Sequence, residues 1–455
     1  MREILLSKTI FTLFRVWLVI FLLSTSSTII MAQTQILKEL SREQMIQDID
    51  TLFSTINKVH PDMYAVYPKQ QLDNDIERVK SELEPSGNIF YFYKQVAPLL
   101  AKLGDGHTNT FPPLESEHYV QVFPFSVKIN NLDKAISVKN DYTRMRNTIP
   151  VGAQITSINN RQSQDIVQEM LNYVSGEKEF FKIVVVERFL FTPLFYILYR
   201  DSIFNIEYMF NQKKYSVQAK SISFEEMGEN PLQEGLSNLY TFRTLPDKNI
   251  GIIEFNSFTD IDRFKVFLDS TFQILQKENI GNLIIDIRKN GGGNSTLGDE
   301  FFQYISPVPF AQYGKVIVKC SDVIGNKQDD TNPNEFKIYD EEELTELIEN
   351  NLRYKGNIYL LTSHYTFSAA ADFSWAFKYF KMGTVVGEET GGLAVCFGDC
   401  ISLELPNSGL SYGISFKKFY SYGATDENTH GTLPNYNVEA EKALDFTIDL
   451  ITRNK

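Results

Sequence analysis

The sequence predicts a multi-domain protein of mixed α/β class, whose carboxy-terminal half is a sheet covered by helices. From about residue 239 to the end, apolar strand patterns alternate with helical patterns: NIGIIEFNSF, a helix over 262–278, then NLIIDIR. This alternation is typical of a mixed sheet with helices packed on it. A chain of 455 residues, 43% of them hydrophobic, is long enough for two or three domains.

The first 32 residues have the pattern of a secretory signal peptide. Basic residues precede the apolar run Val16–Leu23, and STSSTIIMA follows before Gln33. The alternative is a permanent membrane anchor, but Ser24 to Thr28 leave the apolar stretch short for a bilayer span. We therefore expect cleavage after Ala32, an extracytoplasmic mature protein and no stable membrane span after cleavage.

Residues 33–118 are predicted to form a helical amino-terminal module. SREQ at Ser41–Gln44 has the spacing of a capping box, and apolar residues follow it at helical intervals. A second helical pattern covers 89–103 and leads into the turn LGDGHT. This module is expected to end by presenting His107.

Residues 119–225 have a different pattern, with alternating strands such as VQVFPFSVKI. The stretch NTIPVGAQITSINNRQSQDIVQEM resembles the core of a PDZ domain, in which an exposed strand edge beside a helix accepts an extended peptide. The aromatic segment 180–199 looks like an insertion, and we interpret it as core or a domain contact rather than a ligand site.

The segment 357–380, NIYLLTSHYTFSAAADFSWAFKYF, reads as a buried strand, a short turn and a helix. Ser368 falls at the predicted helix start, where free backbone N–H groups and the helix dipole favour developing negative charge. Such a serine is a candidate nucleophile. The alternative is that Ser368 or Thr366 merely caps the helix.

Two further motifs bear on this choice. Gly291–Gly293 follow an apolar strand and could present backbone N–H groups to a ligand, although a flexible turn is the alternative. No phosphate-loop pattern is present there. The turn LGDGHT offers His107 as a general base beside Asp105, in a chain with only five histidines.

Together these motifs resemble those of the S41 peptidases, which include tail-specific proteases, the tricorn core peptidase and relatives similar to retinoid-binding protein. The chain carries, in that family's order, DGHT at 105–108, IIDIRKNGGG at 284–293, TFSAAADF at 366–373 and VVGEETGG at 385–392. The resemblance implies a crotonase-like ββα superhelical catalytic domain over 236–455. It also implies that Ser368 is the nucleophile, with the backbone N–H groups of Ala369 and Gly292 as the oxyanion hole.

One departure from the family bears on the base. Tail-specific proteases use a lysine after the serine, and Leu393 occupies that place here. A leucine cannot accept a proton, so His107 is the predicted base, as in the tricorn-like branch. The residue that orients the histidine is open between Asp105, Asp426 and Glu427.

The sequence also limits partners and cofactors. A net charge of −13 argues against nucleic acid as a partner. No metal-binding motif is present, so we expect catalysis without a cofactor. Cys396 and Cys400 could form a disulfide or remain free thiols, and no oligomeric state is indicated.

The predicted function is therefore that of a secreted serine endopeptidase acting on peptides or unfolded proteins. His430, in the stretch NTHGTLPNYNVE, is a secondary candidate for base or substrate contact. The alternative is a catalytically silent relative that binds peptides or small apolar ligands. A coenzyme A-binding crotonase is disfavoured by the signal peptide and the LGDGHT and TFSAAADF motifs.

Overall fold

The computed structural model describes residues 38–113, 122–143, 145, 148–223, 227, 239–324, 335–340 and 343–453. The predicted signal peptide lies outside the described residues. These described residues belong to one compact unit. The mixed α/β class is confirmed, whereas the domain boundaries near 118 and 236 remain predictions.

The amino-terminal segment is helical, as its apolar spacing predicts. Its helices and strands are α1 (Arg42–Val59), α2 (Lys69–Glu82), α3 (Ile89–Ala101) and the antiparallel pair β1 (Leu40–Ser41) and β2 (Ser86–Gly87). The predicted capping box is present: Ser41 Oγ accepts the Gln44 N–H, and Gln44 Oε1 accepts the Ser41 N–H. The end of α3 is anchored in the core by three buried leucines, Leu99, Leu100 and Leu103. Their burial fixes where the following turn begins.

The middle segment contains an antiparallel sheet with helices inserted between two of its strands. After β3 (Asn109–Thr110) come β4 (Phe125–Ile129), β5 (Ile136–Asp141), β6 (Gln154–Ile158), β7 (Arg161–Gln162), α4 (Ser163–Leu171), α5 (Glu179–Val185), α6 (Phe191–Tyr199), β8 (Ile203–Phe210) and β9 (Lys213–Lys220). The strand order is β4-β5-β6-β8-β9, with β7 also paired to β6. A π-helical turn, Val186–Leu190, joins α5 to α6. The PDZ-like character of this sheet remains a prediction.

The carboxy-terminal segment alternates strands and helices. It comprises β10 (Tyr240–Leu245), β11 (Ile250–Phe255), α7 (Ile261–Lys277), β12 (Asn282–Asp286), α8 (Thr296–Ile305), β13 (Tyr313–Lys319), β14 (Phe336–Asp340), β15 (Asn357–Thr362), α9 (Ala369–Tyr379), β16 (Thr384–Gly387), β17 (Val395–Glu404), β18 (Ser411–Ser421), β19 (Tyr436–Asn437) and α10 (Ala440–Arg453). Short 3₁₀ turns lie at Pro246–Lys248 and Asp322–Ile324.

A six-stranded sheet of order β10-β11-β12-β15-β16-β19 forms the centre of this segment, parallel except at β10. Alternate strand residues bury on opposite faces, so Phe255 and Ile285 pack with α7, α8 and α9, whereas Ile252 and Ile284 pack with α10. Burial on both faces explains why these strands are continuous apolar runs. At its carboxyl end, β12 leads into the loop that contains Gly291–Gly293, here called the glycine loop. At its carboxyl end, β15 leads into the turn that carries Ser368, here called the Ser368 turn.

A second sheet, of order β14-β13-β18-β17, connects the amino-terminal segment to the carboxy-terminal segment. The short strand β3 pairs with β18 through Thr110 and Tyr412. This pairing brings the turn before β3, which carries His107, next to the carboxy-terminal half of the chain. Cys396 and Cys400 are free thiols on β17. Among the described residues, no helix is both long enough and apolar enough to cross a bilayer.

Candidate active site

Ser368 lies between β15 and α9 in a backbone conformation that residues other than glycine rarely adopt. Its φ is 51° and its ψ is −134°, although it is not a glycine. Its hydroxyl makes no capping hydrogen bond to α9, and Thr366 Oγ1 donates to the Ile287 carbonyl instead. The geometry is therefore not that of a capping serine. Strained residues of this kind concentrate at functional sites.

His107 lies beside Ser368 although 261 residues separate them in sequence. The His107 Nε2 atom is 3.1 Å from Ser368 Oγ, within hydrogen-bond reach. The imidazole stacks on Phe367, with ring centroids 4.6 Å apart, and only 15% of its side chain is exposed. The turn that carries Ser368 thus also packs against the imidazole of His107, through Phe367.

Asp105 fixes the turn that carries His107. Its Oδ1 accepts the His107 backbone N–H at 2.9 Å and lies 3.9 Å from His107 Nδ1. Its Oδ2 accepts the Ser415 hydroxyl at 2.6 Å and His60 Nε2 at 3.1 Å. The carboxylate is completely buried. It therefore holds together the end of α1, the turn that carries His107 and the strand β18.

The protonation of these groups follows from their surroundings. Burial opposes ionisation of Asp105, but the hydrogen bond and charge of His60, with smaller effects of His107 and Ser415, lower its pKa well below its usual range. His60 Nδ1 accepts the Asp62 N–H, so the ring proton on Nε2 points at Asp105.

The pKa of His107 is lowered, and burial is the main cause. The carboxylates of Asp105 and Asp399 and the Phe397 backbone oppose this shift. Its Nδ1 has no hydrogen-bond partner of ordinary geometry in the described ranges. A histidine whose pKa lies below 6.5 is neutral at pH 7, as a general base must be.

The glycine loop packs directly against the nucleophile. A Cβ on Gly292 would lie 2.8 Å from Ser368 Cβ and 3.0 Å from the Ala369 nitrogen, and its φ of +101° also suits glycine. The Gly292 N–H, expected to face an oxyanion, donates at 2.8 Å to Asn290 Oδ1. The Ala369 N–H begins α9 beside Ser368. The two predicted donors are therefore adjacent, but one of them is already engaged.

The remaining predicted site residues lie elsewhere or make other contacts. Asp426 accepts from Lys418 Nζ and Tyr420 Oη, each at 2.9 Å, and its side chain is 72% exposed. Glu427 is exposed in the same loop. His430 packs against Trp375, with ring centroids 5.7 Å apart. Of the three carboxylates considered, Asp105 is the one whose contacts with His107 the structure records.

The site includes residues that sequence reasoning did not single out for it. Ser415 and His60 contact Asp105 from parts of the chain 310 and 45 residues away, and Asn290 holds the Gly292 N–H. No local pattern marks Ser415. Asn290 directly precedes the three glycines, which was the one available signal for a residue that shapes that loop.

The aromatic segment 180–199 contacts the turn that carries Ser368. Phe180 stacks on His364 at 4.1 Å and Phe181 on Phe367 at 4.2 Å between ring centroids. Arg188 lies 3.9 Å above the ring of Tyr365. Residues of the middle segment therefore line the back of the site.

Comparisons with known proteins agree with this fold. The structure of mature CPAF complexed with lactacystin aligns with a TM-score of 0.66 and 14% identity, covering 91% of this chain and 99% of that one. A CPAF mutant gives 0.67 and 12% identity, covering 90% and 97%. At such identities the likeness shows the fold alone.

The sequence comparison is more specific about family. Residues 249–438, which include the glycine loop and Ser368, match the model of peptidase family S41. The resemblance drawn from the sequence motifs is thereby confirmed, and these findings support a peptidase. Residues 249–438 of this chain are therefore similar to peptidase family S41.

Proposed function

We propose that this chain is a secreted serine endopeptidase that cleaves peptides or unfolded proteins through an acyl-enzyme on Ser368. The observation that carries the proposal is the 3.1 Å approach of His107 Nε2 to Ser368 Oγ at the start of α9. A positioned base at a nucleophile is the minimum needed for acyl transfer. The histidine also favours the histidine-base branch of the family, since Leu393 cannot act as a base.

The reaction would begin with attack of Ser368 Oγ on the scissile carbonyl. Neutral His107 would take the hydroxyl proton at Nε2 and later deliver it to the leaving amine. Asp105 would stabilise the imidazolium by its charge, because its Oδ1 is 3.9 Å from Nδ1. Water would then hydrolyse the ester with His107 again as base.

The oxyanion would form beside the first turn of α9. The Ala369 N–H would donate to it, assisted by the helix dipole. The Gly292 N–H would be the second donor, and the oxyanion would compete there with Asn290 Oδ1, which accepts that N–H in this structure. Substrate binding would therefore have to draw this N–H away from Asn290 or share it.

A silent binding protein is the less favoured alternative. Such a protein would have no need to keep a neutral histidine at hydrogen-bond distance from a strained serine. The strained conformation costs about 1–3 kcal/mol, which is more easily explained where it serves catalysis.

The test is to incubate the protein with a denatured, reduced protein substrate and with a peptide library, and to identify new termini by mass spectrometry. Internal cleavage by the wild type that is absent with Ser368→Ala would support an endopeptidase. Release of terminal residues only would contradict the endopeptidase assignment, and intact substrates under all conditions would favour the silent binding protein.

A further inference from the structure

The segment 175–181, between α4 and α5, is docked on the turn that carries the base. Ser175 Oγ donates to the Asp105 carbonyl at 2.7 Å. The rings of Phe181 and Phe367 stack with an interplanar angle of 15°. A Cβ on Gly106 would lie 2.7 Å from the Phe367 ring and 3.1 Å from that of Phe181, so the backbone of Gly106 is closely enclosed. The residue before His107 therefore cannot move without displacing this segment.

Glu177 points its carboxyl group into this same contact. Both of its oxygens are sealed from solvent, and neither has a hydrogen-bond partner of ordinary geometry among the described residues. Its Oε2 would be 3.2 Å from a Cβ on Gly106. A buried polar group without a partner is costly, and a charged one is far more so. The Glu177 carboxyl group is therefore expected to be protonated and uncharged.

Of the two neighbouring carboxyl groups, Asp105 is ionised and Glu177 is protonated. Asp105 accepts hydrogen bonds from His60, Ser415 and the His107 backbone, so it is the carboxyl that ionises. In the part of the chain that the structure describes, the Glu177 carboxyl group has no such donors. Burial first, and then the charge of Asp105, raise the pKa of Glu177 to about 8, while the backbone amides of Glu177 and Gly106 act in the opposite direction.

Among the described residues, no titratable group around Glu177 forms an ion pair with its carboxyl group. On its own segment, Lys178 and Glu179 flank it, and burial lowers the pKa of Lys182. From β17, the Cys396 thiol is buried, and burial is the main reason that its pKa lies well above its usual range. On the catalytic turn, His107 is the neutral base itself.

We propose that Glu177, as an uncharged carboxylic acid, is a positioning residue that holds the Asp105–His107 turn through Gly106. The inference deepens the proposed function and rests on it, because the turn matters through the base it carries. Ionisation would place a second unsolvated charge beside Asp105 and drive the segment off the turn. His107 would then lose its alignment with Ser368, so the reaction would have an alkaline limit near pH 8.

The first test measures the rate at which a fluorophosphonate probe labels Ser368 between pH 6 and 9.5. In the wild type we expect the rate to fall above pH 8, approaching about tenfold per pH unit. Glu177→Gln, uncharged and of the same size, should keep its rate within about twofold from pH 7 to 9.5. Glu179→Gln, whose side chain is 58% exposed two residues away, is the matched control and should follow the wild type. Coincident profiles for wild type and Glu177→Gln would overturn the proposal.

The second test does not depend on catalysis. Because the folded-state pKa of Glu177 is raised from 4.5 to about 8, the folded protein holds a proton that the unfolded chain releases between these values. Stability from the neutral form is complete below pH 4.5 and is lost as the pH rises through 8.

The second test therefore compares the Tm of Ser368→Ala with that of the double variant Ser368→Ala/Glu177→Gln. The double variant should have the higher Tm, and the difference should widen from pH 5 to 8 and then stay constant. A gap independent of pH would overturn the proposal. If the wild type takes up no probe at any pH, the proposed function fails, whereas the Tm gap still decides whether Glu177 is the neutral acid in this contact.

Discussion

At the residue scale, the site depends on which buried groups carry charge. Asp105 is buried as an anion because three donors converge on it, and His107 is kept neutral mainly by burial. A charged orienting group beside an uncharged base is the combination that proton abstraction from a serine requires. Because Asp105 does not hydrogen-bond the imidazole itself, its effect on His107 is electrostatic and acts through the turn.

Asp105→Asn tests this arrangement through stability. Loss of a buried charge that has partners costs about 3–5 kcal/mol, so the variant should unfold at clearly lower urea concentration at pH 7. The folded-state pKa of Asp105 is depressed, so its contribution is present above about pH 3.8 and is lost as the pH falls further towards the folded-state value.

The gap between wild type and Asp105→Asn should therefore narrow between pH 4 and pH 2.5, as measured by urea denaturation. The control is Asp426→Asn, because that carboxylate is largely exposed and its ion pair should contribute at most about 1 kcal/mol. A gap for Asp105→Asn as small as that of the control would mean that the buried network is not what fixes the turn.

At the element scale, the strand β15, the turn and the helix α9 place Ser368 where its hydroxyl faces His107 rather than capping the helix. The cost is a positive φ at a residue with a Cβ. The glycine loop makes the arrangement possible, because Gly292 leaves no room for a Cβ between it and Ser368. Each element is thus shaped to fit the other.

Ser368→Gly and Ser368→Ala test the strain. Both variants remove the hydroxyl, but only glycine adopts φ near 51° and ψ near −134° easily. Elsewhere glycine is the less stable residue by about 0.5–1 kcal/mol. Here we expect Ser368→Gly to equal or exceed Ser368→Ala in the free energy of unfolding, measured by urea denaturation. The usual order, with alanine more stable, would show that the turn stores no strain.

Gly292→Ala tests the close approach of the glycine loop. A methyl group there meets the Phe367 carbonyl, Ser368 Cβ and the Ala369 nitrogen, all within 3.0 Å. The displacement should lower kcat for peptide cleavage by about 10²–10³-fold, as expected for loss of an oxyanion donor.

The matched control for Gly292→Ala is Gly409→Ala. That glycine also has a positive φ, of +71°, but a Cβ added there would meet no atom of the described residues within 4 Å. It should lose about 1 kcal/mol of stability and keep its kcat. Equal kcat values for the two variants would exclude the glycine loop from transition-state stabilisation.

At the scale of the whole molecule, three stretches of chain meet at one point. The helix α3 delivers His107, the six-stranded sheet delivers Gly292 and Ser368, and pairing of β3 with β18 joins them. Docking of the segment 175–181 closes the arrangement from the middle sheet.

Local pattern predicted much of this arrangement. Apolar spacing predicted the strand, turn and helix of 357–380, which the structure has as β15, the Ser368 turn and α9, and the capping box located the start of α1. The Ser368–His107 pair could be anticipated only through the family resemblance, because no periodicity links residues 261 positions apart.

Other contacts of the site could not be predicted from the sequence, because they form only when distant parts of the chain pack together. Ser415 reaches Asp105 through the pairing of β3 with β18, and the carboxyl of Glu177 is sealed only by docking on Gly106. Asn290 engages the Gly292 N–H through a loop conformation that composition does not specify. Residue type alone therefore identified candidates, whereas burial and long-range pairing decided their roles.

Labelling of the full chain with a fluorophosphonate probe, with the adduct located by peptide sequencing, decides whether Ser368 is an activated nucleophile with His107 as its base. We expect the adduct on Ser368, none in Ser368→Ala, and a labelling rate at least about 10²-fold lower in His107→Ala. His430→Ala is the matched histidine control and should label like the wild type. Labelling on another residue, or an unchanged labelling rate in His107→Ala, would contradict the assignment of Ser368 as nucleophile and His107 as its base.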